Sequence, residues 1–250
     1  MKILFNCFIM LSIAGGGPDA KIVKTEAIAG SGLNKPDSHQ KTVVAKRPKV
    51  LFYLQDGVEV LDFAGPMEVF SAADFDVIIV SKTKSPITSQ GILRITPDYS
   101  IDDAPKADIL AFFGGNSSAA YNDPAVIHWL KNAAVPDYYF SVCSGAFILG
   151  KAGLLDHLTV TTFHENIDQL KQFTPLAKVL SNVRFVDDNN VITTAGVSAG
   201  IDGALYLVAK IKGDAAAIEV ARYMEYDHWK PGLGLVIGHQ NANQQDTTHL

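Results

Sequence analysis

Residues 138–152 read YYFSVCSGAFILGKA, and this stretch decides the fold. Tyr138 to Val142 is an aromatic and β-branched run of strand length. It leads directly into Cys143, and the small residues Ser144, Gly145 and Ala146 follow at once. Helical spacing of apolar residues resumes from Gly145 to Ala152 and stops at Gly153. A strand that turns sharply into a helix, with small residues at the bend, projects one side chain from a strained corner. The pattern predicts that Cys143 occupies that corner. A helix N-terminus behind the sulfur is expected to favour thiolate and lower its pKa. The plain alternative is a buried, inert free cysteine.

Working outward, apolar strand-like runs alternate with helical patterns. Val50 to Leu54, Phe75 to Val80 and Asp108 to Phe113 are continuous apolar runs, as expected of strands covered on both faces. Val60 to Ala73 has helix-like spacing, and Asp123-Pro124 opens another helix with Asp as cap and Pro at its first position. Further strands are expected at Val160 to Phe163 and Val191 to Thr194. Two helices close the domain, from Ala199 to Lys210 and from Ala215 to Tyr226, with Asp214 as cap of the second. The alternation predicts an α/β fold, a mostly parallel sheet flanked by helices on both faces. Ligands in such folds sit beyond the carboxyl ends of the strands. Gly114-Gly115, Cys143 and the region around His164 all map to that edge.

The 250 residues fit one domain with extra sequence at its ends. Lys2, the apolar run Ile3 to Ile13 and the small residues Ala14 to Gly17 have the pattern of an export signal over residues 1–20. The run is too short for a transmembrane helix, so no membrane association is expected once it is removed. Removal takes Cys7 with it and leaves Cys143 as the single thiol of a periplasmic or secreted chain. Residues 21–47 read as a flexible linker, 48–237 as the folded domain and 238–250 as a disordered tail. The net charge is −5, and the basic cluster Lys46-Arg47-Pro48-Lys49 reads as a solvated domain entry, not a nucleic-acid patch.

Several residues could work with the thiol. Gly114-Gly115 allows backbone N–H groups to approach a ligand and, with the Ser144 amide, to form an oxyanion-like pocket. The alternative is a tight turn after a strand. Asp62, in Val60-Leu61-Asp62-Phe63-Ala64-Gly65-Pro66, could move a proton beside the thiol or simply cap its helix. His164 could serve as a base with Glu165 orienting it, or stand exposed at a strand end. His228 and Trp229 could line the pocket or pack elsewhere. No His/Cys/Asp/Glu group has metal-ligand spacing and no phosphate loop occurs, so neither metal nor cofactor is expected.

Taken together, these segments resemble the ThiJ/PfpI superfamily over about Lys49 to Trp229. The resemblance rests on Leu61 to Pro66, Ser141 to Gly145, Gly153-Leu154-Leu155-Asp156, Val160-Thr161-Thr162 and Ala195-Gly196-Val197-Ser198-Ala199-Gly200-Ile201-Asp202, in that order. It implies the class I glutamine amidotransferase-like fold, a flavodoxin-like three-layer sandwich with a nucleophile-elbow cysteine. The first two motifs look like the branch that includes isonitrile hydratase and the sensor-like domains of AraC-type regulators. For that branch the resemblance implies that Cys143 attacks an isocyanide carbon and that Asp62 takes part in proton transfer. It places a hydroxyl residue after the cysteine, as Ser144 is, and it implies a homodimer acting on a small-molecule substrate. Much of the superfamily has histidine directly after the Thr-Thr pair, where this chain has Phe163. In an extended strand His164 faces the opposite side, which favours Asp62 as the partner of the thiol. The alternatives are a non-catalytic ligand-sensing domain and thiol-based protection against carbonyls or oxidants. A DNA-binding domain would take roughly 100 further residues. Only a short stretch follows Ile237, so direct transcriptional control is not expected.

Overall fold

The structure is a computed structural model that describes residues 46–237. The export signal, almost all of the linker and the tail fall outside these residues. Arg47, at the domain entry, pairs with Asp74 at 3.1 Å and with Asp76, which fixes the incoming chain to the turn before the second strand.

The first half of the domain runs β1 (Lys49–Tyr53), α1 (Val60–Ala72), β2 (Asp76–Ser81), β3 (Ile87–Ser89), β4 (Leu93–Ile95), β5 (Tyr99–Ser100), β6 (Ile109–Phe112), α2 (Ser118–Tyr121), α3 (Pro124–Asn132) and β7 (Tyr138–Val142). A single 3-10 turn, Cys143–Gly145, leads into α4 (Ala146–Lys151). Then follow β8 (Thr159–Val160), a 3-10 turn at His164–Asn166, α5 (Ile167–Phe173), β9 (Lys178–Val179), β10 (Phe185–Asp188), β11 (Val191–Thr194), α6 (Ala199–Lys212), α7 (Asp214–Tyr223) and β12 (Leu235–Ile237).

Eight strands form one sheet in the order β12-β10-β11-β7-β6-β1-β2-β5, parallel throughout except for the antiparallel pair β10 and β11. The period of two along β1 explains its unbroken apolar run. Val50, Phe52 and Leu54 enter a core built with α1, α6 and α7, while Leu51 and Tyr53 enter a second core built with α3, α4 and α5. Helices therefore cover both faces, and the three-layer sandwich is the observed architecture. Phe52 packs on Phe113 with ring centroids 4.7 Å apart, and Tyr53 lies 5.7 Å from Trp129 on the other side.

Most strands and helices fall within a few residues of expectation, and Asp123 caps α3 by accepting from the Ala125 N–H at 2.9 Å. Three departures have physical reasons. The strand expected through Phe163 ends at Val160, because side-chain hydroxyls take over its backbone ladder. Thr193 Oγ1 accepts the Thr161 N–H at 2.9 Å, and Thr162 Oγ1 donates to the Cys143 carbonyl at 2.7 Å. Asp214 does not cap α7; it is the first helical residue, preceded by Gly213 at φ +91°, and has no capping bond. Strand β10 was not anticipated, since Asp187 and Asp188 make it look polar. Both are buried: Asp187 accepts from Tyr206 and Lys210, and Asp188 accepts the Thr159 N–H at 2.7 Å.

Candidate active site

Cys143 stands where β7 breaks into the 3-10 turn, with φ at +57°. A non-glycine residue in this region is strained and persists only where its surroundings over-determine it. Here both of its backbone groups are held: the N–H donates to the Ala195 carbonyl at 3.0 Å, and the carbonyl accepts from Thr162. Small residues after the cysteine are required by space. A Cβ on Gly145 would lie 2.4 Å from the Phe112 carbonyl oxygen of the neighbouring strand.

Asp62 lies in the first turn of α1, but it does not cap that helix. Its side chain is fully buried and points to the strand ends. Oδ2 accepts the Gly114 N–H at 2.9 Å and Oδ1 accepts the Val197 N–H at 2.9 Å. Gly114 is the reason carboxylate and thiol can meet. A Cβ there would sit 2.7 Å from Asp62 Oδ2 and 2.8 Å from Cys143 Sγ, so the two reactive atoms flank the space that a side chain would fill. The Gly114 carbonyl is held as well, by the Gln55 side chain at 3.1 Å and the Glu59 N–H at 3.2 Å.

The electrostatics follow from burial. Desolvation pushes the Asp62 carboxyl up to about 6, against the two backbone N–H groups that favour its ionised form. Cys143 is only 8% exposed, and burial together with the Asp62 charge pushes its thiol up to about 12. The Ser144 N–H acts the other way without prevailing. This overturns the expectation of a thiol lowered by its helix. The pair rests at neutral pH as a protonated thiol beside a carboxylate, a nucleophile that needs its proton removed as it attacks.

Not every expected residue joins this centre. The Gly114 amide is committed to Asp62 and is not an oxyanion donor, whereas the exposed Gly115 N–H donates to no protein acceptor among the described residues. Ser144 lies beside the thiol and accepts from Ser117 at 3.0 Å. His164 is exposed on its 3-10 turn with its ring 4.3 Å from that of Phe163. Glu165 and His228 are also exposed, and Trp229 is buried in the core beside α6 and α7. Ala195, Val197, Thr162 and Gln55 were missed as contributors. Three of them act through backbone atoms or hydroxyl-to-carbonyl bonds, which leave no residue-type signature. Two larger clefts, about 400 Å³ beside Trp129 and about 620 Å³ between Arg47 and Lys210, are not lined by Cys143 or Asp62.

The family model described as the DJ-1/PfpI family matches residues 48–210. The chain belongs to the DJ-1/PfpI family. Among relatives of this family member, the isonitrile hydratase of Pseudomonas putida is 34% identical over 178 residues, covering 70% of this chain and 77% of that protein. The HTH-type transcriptional regulator CdhR of Pseudomonas aeruginosa is 25% identical over 187 residues, covering 72% of this chain and 55% of the regulator. Among solved structures, a ThiJ/PfpI family protein from Pseudomonas syringae superposes with a TM-score of 0.69 at 30% identity, covering 79% of this chain and 84% of the other.

Proposed function

We propose that the protein is a cysteine-dependent hydratase of small electrophiles, most specifically of isocyanides, which it converts to N-substituted formamides. The observation that carries this reading is the placement of Asp62 and Cys143 beside Gly114, where the Asp62 carboxylate and the Cys143 sulfur are the nearest side-chain groups to the space above the glycine. The similarity to an isonitrile hydratase over most of the domain supports the substrate class.

In the proposed reaction Sγ attacks the terminal carbon of R–NC as the Asp62 carboxylate takes the thiol proton. That proton passes to the same carbon, giving the thioimidate R–N=CH–S–Cys143. Water adds across the C=N bond, and the C–S bond then breaks. R–NH–CHO leaves and the proton returns to sulfur, so the sum is isocyanide plus water to formamide. A carboxyl near 6 suits a group that must accept and return a proton near neutrality. Attack through a shared proton also avoids a free thiolate in a site where burial and Asp62 oppose one.

The test is incubation with an isocyanide, followed by mass spectrometry of the formamide, for wild type, Cys143→Ala and Asp62→Asn. Formamide from wild type and none from Cys143→Ala is the expected result. Equal yields from the two, or none from wild type, would overturn the reading. The second of these outcomes would favour a ligand-sensing domain, a reading that the similarity with CdhR supports. The proposal places the enzyme outside the cytoplasm as a homodimer. N-terminal sequencing of the fractionated protein and light scattering test those two parts.

A further inference from the structure

Next to the turn that carries the thiol lies a smaller space that the reaction as written does not use. Cys143 and Asp62 do not line it, but Ser144, next to Cys143 in the chain, and Gly115, next to Gly114, do. It has a volume of about 200 Å³ and is bounded by Gly115 and Ser144 on the thiol side, by Ser117, Ser118 and Tyr121 on the α2 side, and by Asn166 and Gln169 opposite. Ligand pockets for drug-sized molecules run to about 300–1,000 Å³, so this one takes a substituent of a few heavy atoms. Its floor is rigid: the rings of Tyr121, Phe147 and Phe173 pack in a triangle with centroids 5.3 to 5.9 Å apart.

The walls are polar, and no ionisable carboxylate, ammonium, guanidinium or imidazole lines them. Two of the acceptors are occupied. Ser144 Oγ accepts from Ser117, and Gln169 Oε1 accepts from Asn166 at 3.3 Å. The donors are open. The Gly115 N–H, the Tyr121 hydroxyl and the Gln169 side-chain NH₂ donate to no protein acceptor among the described residues. Open donors call for an acceptor on the ligand. A carboxylate would supply one, but Asp62 and Glu59 both add negative charge beside the thiol and oppose an anion there. An uncharged acceptor meets the donors without that penalty.

We infer that this space is the substituent subsite of the enzyme, and that its substrates are small isocyanides bearing a neutral hydrogen-bond acceptor, such as an ester or amide carbonyl, a few bonds from the isocyanide carbon. The substrate class rests on the hydratase reading; the subsite's preference for neutral acceptors rests on its own lining.

The test compares three isocyanides of matched size: n-butyl isocyanide, methyl isocyanoacetate and the isocyanoacetate anion. Wild type is expected to favour the ester over the butyl compound in kcat/KM by about tenfold, the worth of one neutral hydrogen bond, and to favour it over the anion as well. Gln169→Leu, at an exposed position that the fold does not depend on, is expected to bring the ester-to-butyl ratio back towards one. A wild-type ratio of one or below, preference for the anion, or an unchanged ratio in Gln169→Leu would overturn the inference. Should wild type hydrate none of the three, the hydratase reading fails, and binding decides the subsite separately. In that case saturation-transfer NMR on Cys143→Ala compares the ester-bearing formamide with N-butylformamide. Selective binding of the former, lost in Gln169→Leu, upholds the subsite, and equal binding removes it.

Discussion

Replacing Asp62 by Asn is expected to make Cys143 more reactive towards a simple alkylating agent and less competent in catalysis. The two effects separate because the carboxylate has two influences on one sulfur. Its charge holds the thiol proton on, and its basicity removes that proton when a substrate arrives. Asp62 Oδ2 and Cys143 Sγ lie 2.7 and 2.8 Å from one shared point. A unit charge at about 5 Å is worth up to about 3 kcal/mol at an effective dielectric near 20; with burial the larger cause of the raised thiol, the charge accounts for roughly a 10- to 100-fold loss of acidity. Burial remains in the variant, so removing the charge brings the thiol only part of the way down from about 12. The thiolate fraction at a fixed pH then rises by roughly 10- to 100-fold, while intrinsic nucleophilicity falls by about three- to tenfold, so alkylation by iodoacetamide speeds up by roughly three- to tenfold. Hydration of an isocyanide moves the opposite way, by about 10²–10⁴, the usual contribution of a positioned acid–base group. Pseudo-first-order loss of the thiol, followed by mass spectrometry at pH 8, measures the first effect, and formamide yield measures the second. Near-UV circular dichroism checks that the variant is folded. Slower or unchanged alkylation in Asp62→Asn would refute the assignment of the carboxylate as the charge that raises the thiol.

Three further outcomes follow from the same geometry. Gly114→Ala places a methyl group within 2.8 Å of Cys143 Sγ and 2.7 Å of Asp62 Oδ2, so kcat should fall by about 100-fold or more, the usual effect of misplacing reacting groups by an ångström. Full activity in that variant would dissolve the proposed pair. Thr162→Val removes the hydroxyl that holds the Cys143 carbonyl and should cost about 1–2 kcal/mol in urea unfolding, with Thr162→Ser restoring most of it; equal stability of all three proteins would argue against the clamp. The raised carboxyl of Asp62 also has a signed effect on stability. Between its ordinary 3.8 and its folded value of about 6, the native state binds more protons than the unfolded chain, so stability falls as pH rises through that window. The loss is on the order of 2–3 kcal/mol and should be missing from the urea midpoints of Asp62→Asn between pH 4 and pH 7. Parallel pH profiles for the two proteins would contradict it.

The fold was legible because its evidence is local. The unbroken run Val50 to Leu54 announces a strand buried on both faces, and the step from Val142 through Cys143 to Gly145 announces the corner. What escaped was set by distant partners. Asp187 and Asp188 hide a strand because their charges are met by Lys210, Tyr206 and a backbone amide contributed by other elements. His164 stands exposed on a 3-10 turn, and the strand argument against it assumed a ladder that ends three residues earlier. The direction of the thiol shift was also out of reach. A helix N-terminus is visible in sequence, but the depth of burial and the approach of a carboxylate 81 positions away are properties of the assembled chain. Val197 adds the same lesson: its N–H reaches Asp62 across 135 positions, from a backbone at φ +54° that no residue-type rule assigns to valine.

The depth at which Cys143 lies has a consequence for the chain's survival. A cysteine residue only 8% exposed and still carrying its thiol proton is a poor target for peroxide, for bulky disulfides and for another copy of itself. A thin, rod-shaped reagent that ends in a bare carbon meets far less steric resistance on the way in. The fold thus acts as a sieve as well as a scaffold for the one thiol among the described residues, and under the proposed function only narrow electrophiles are expected to reach it.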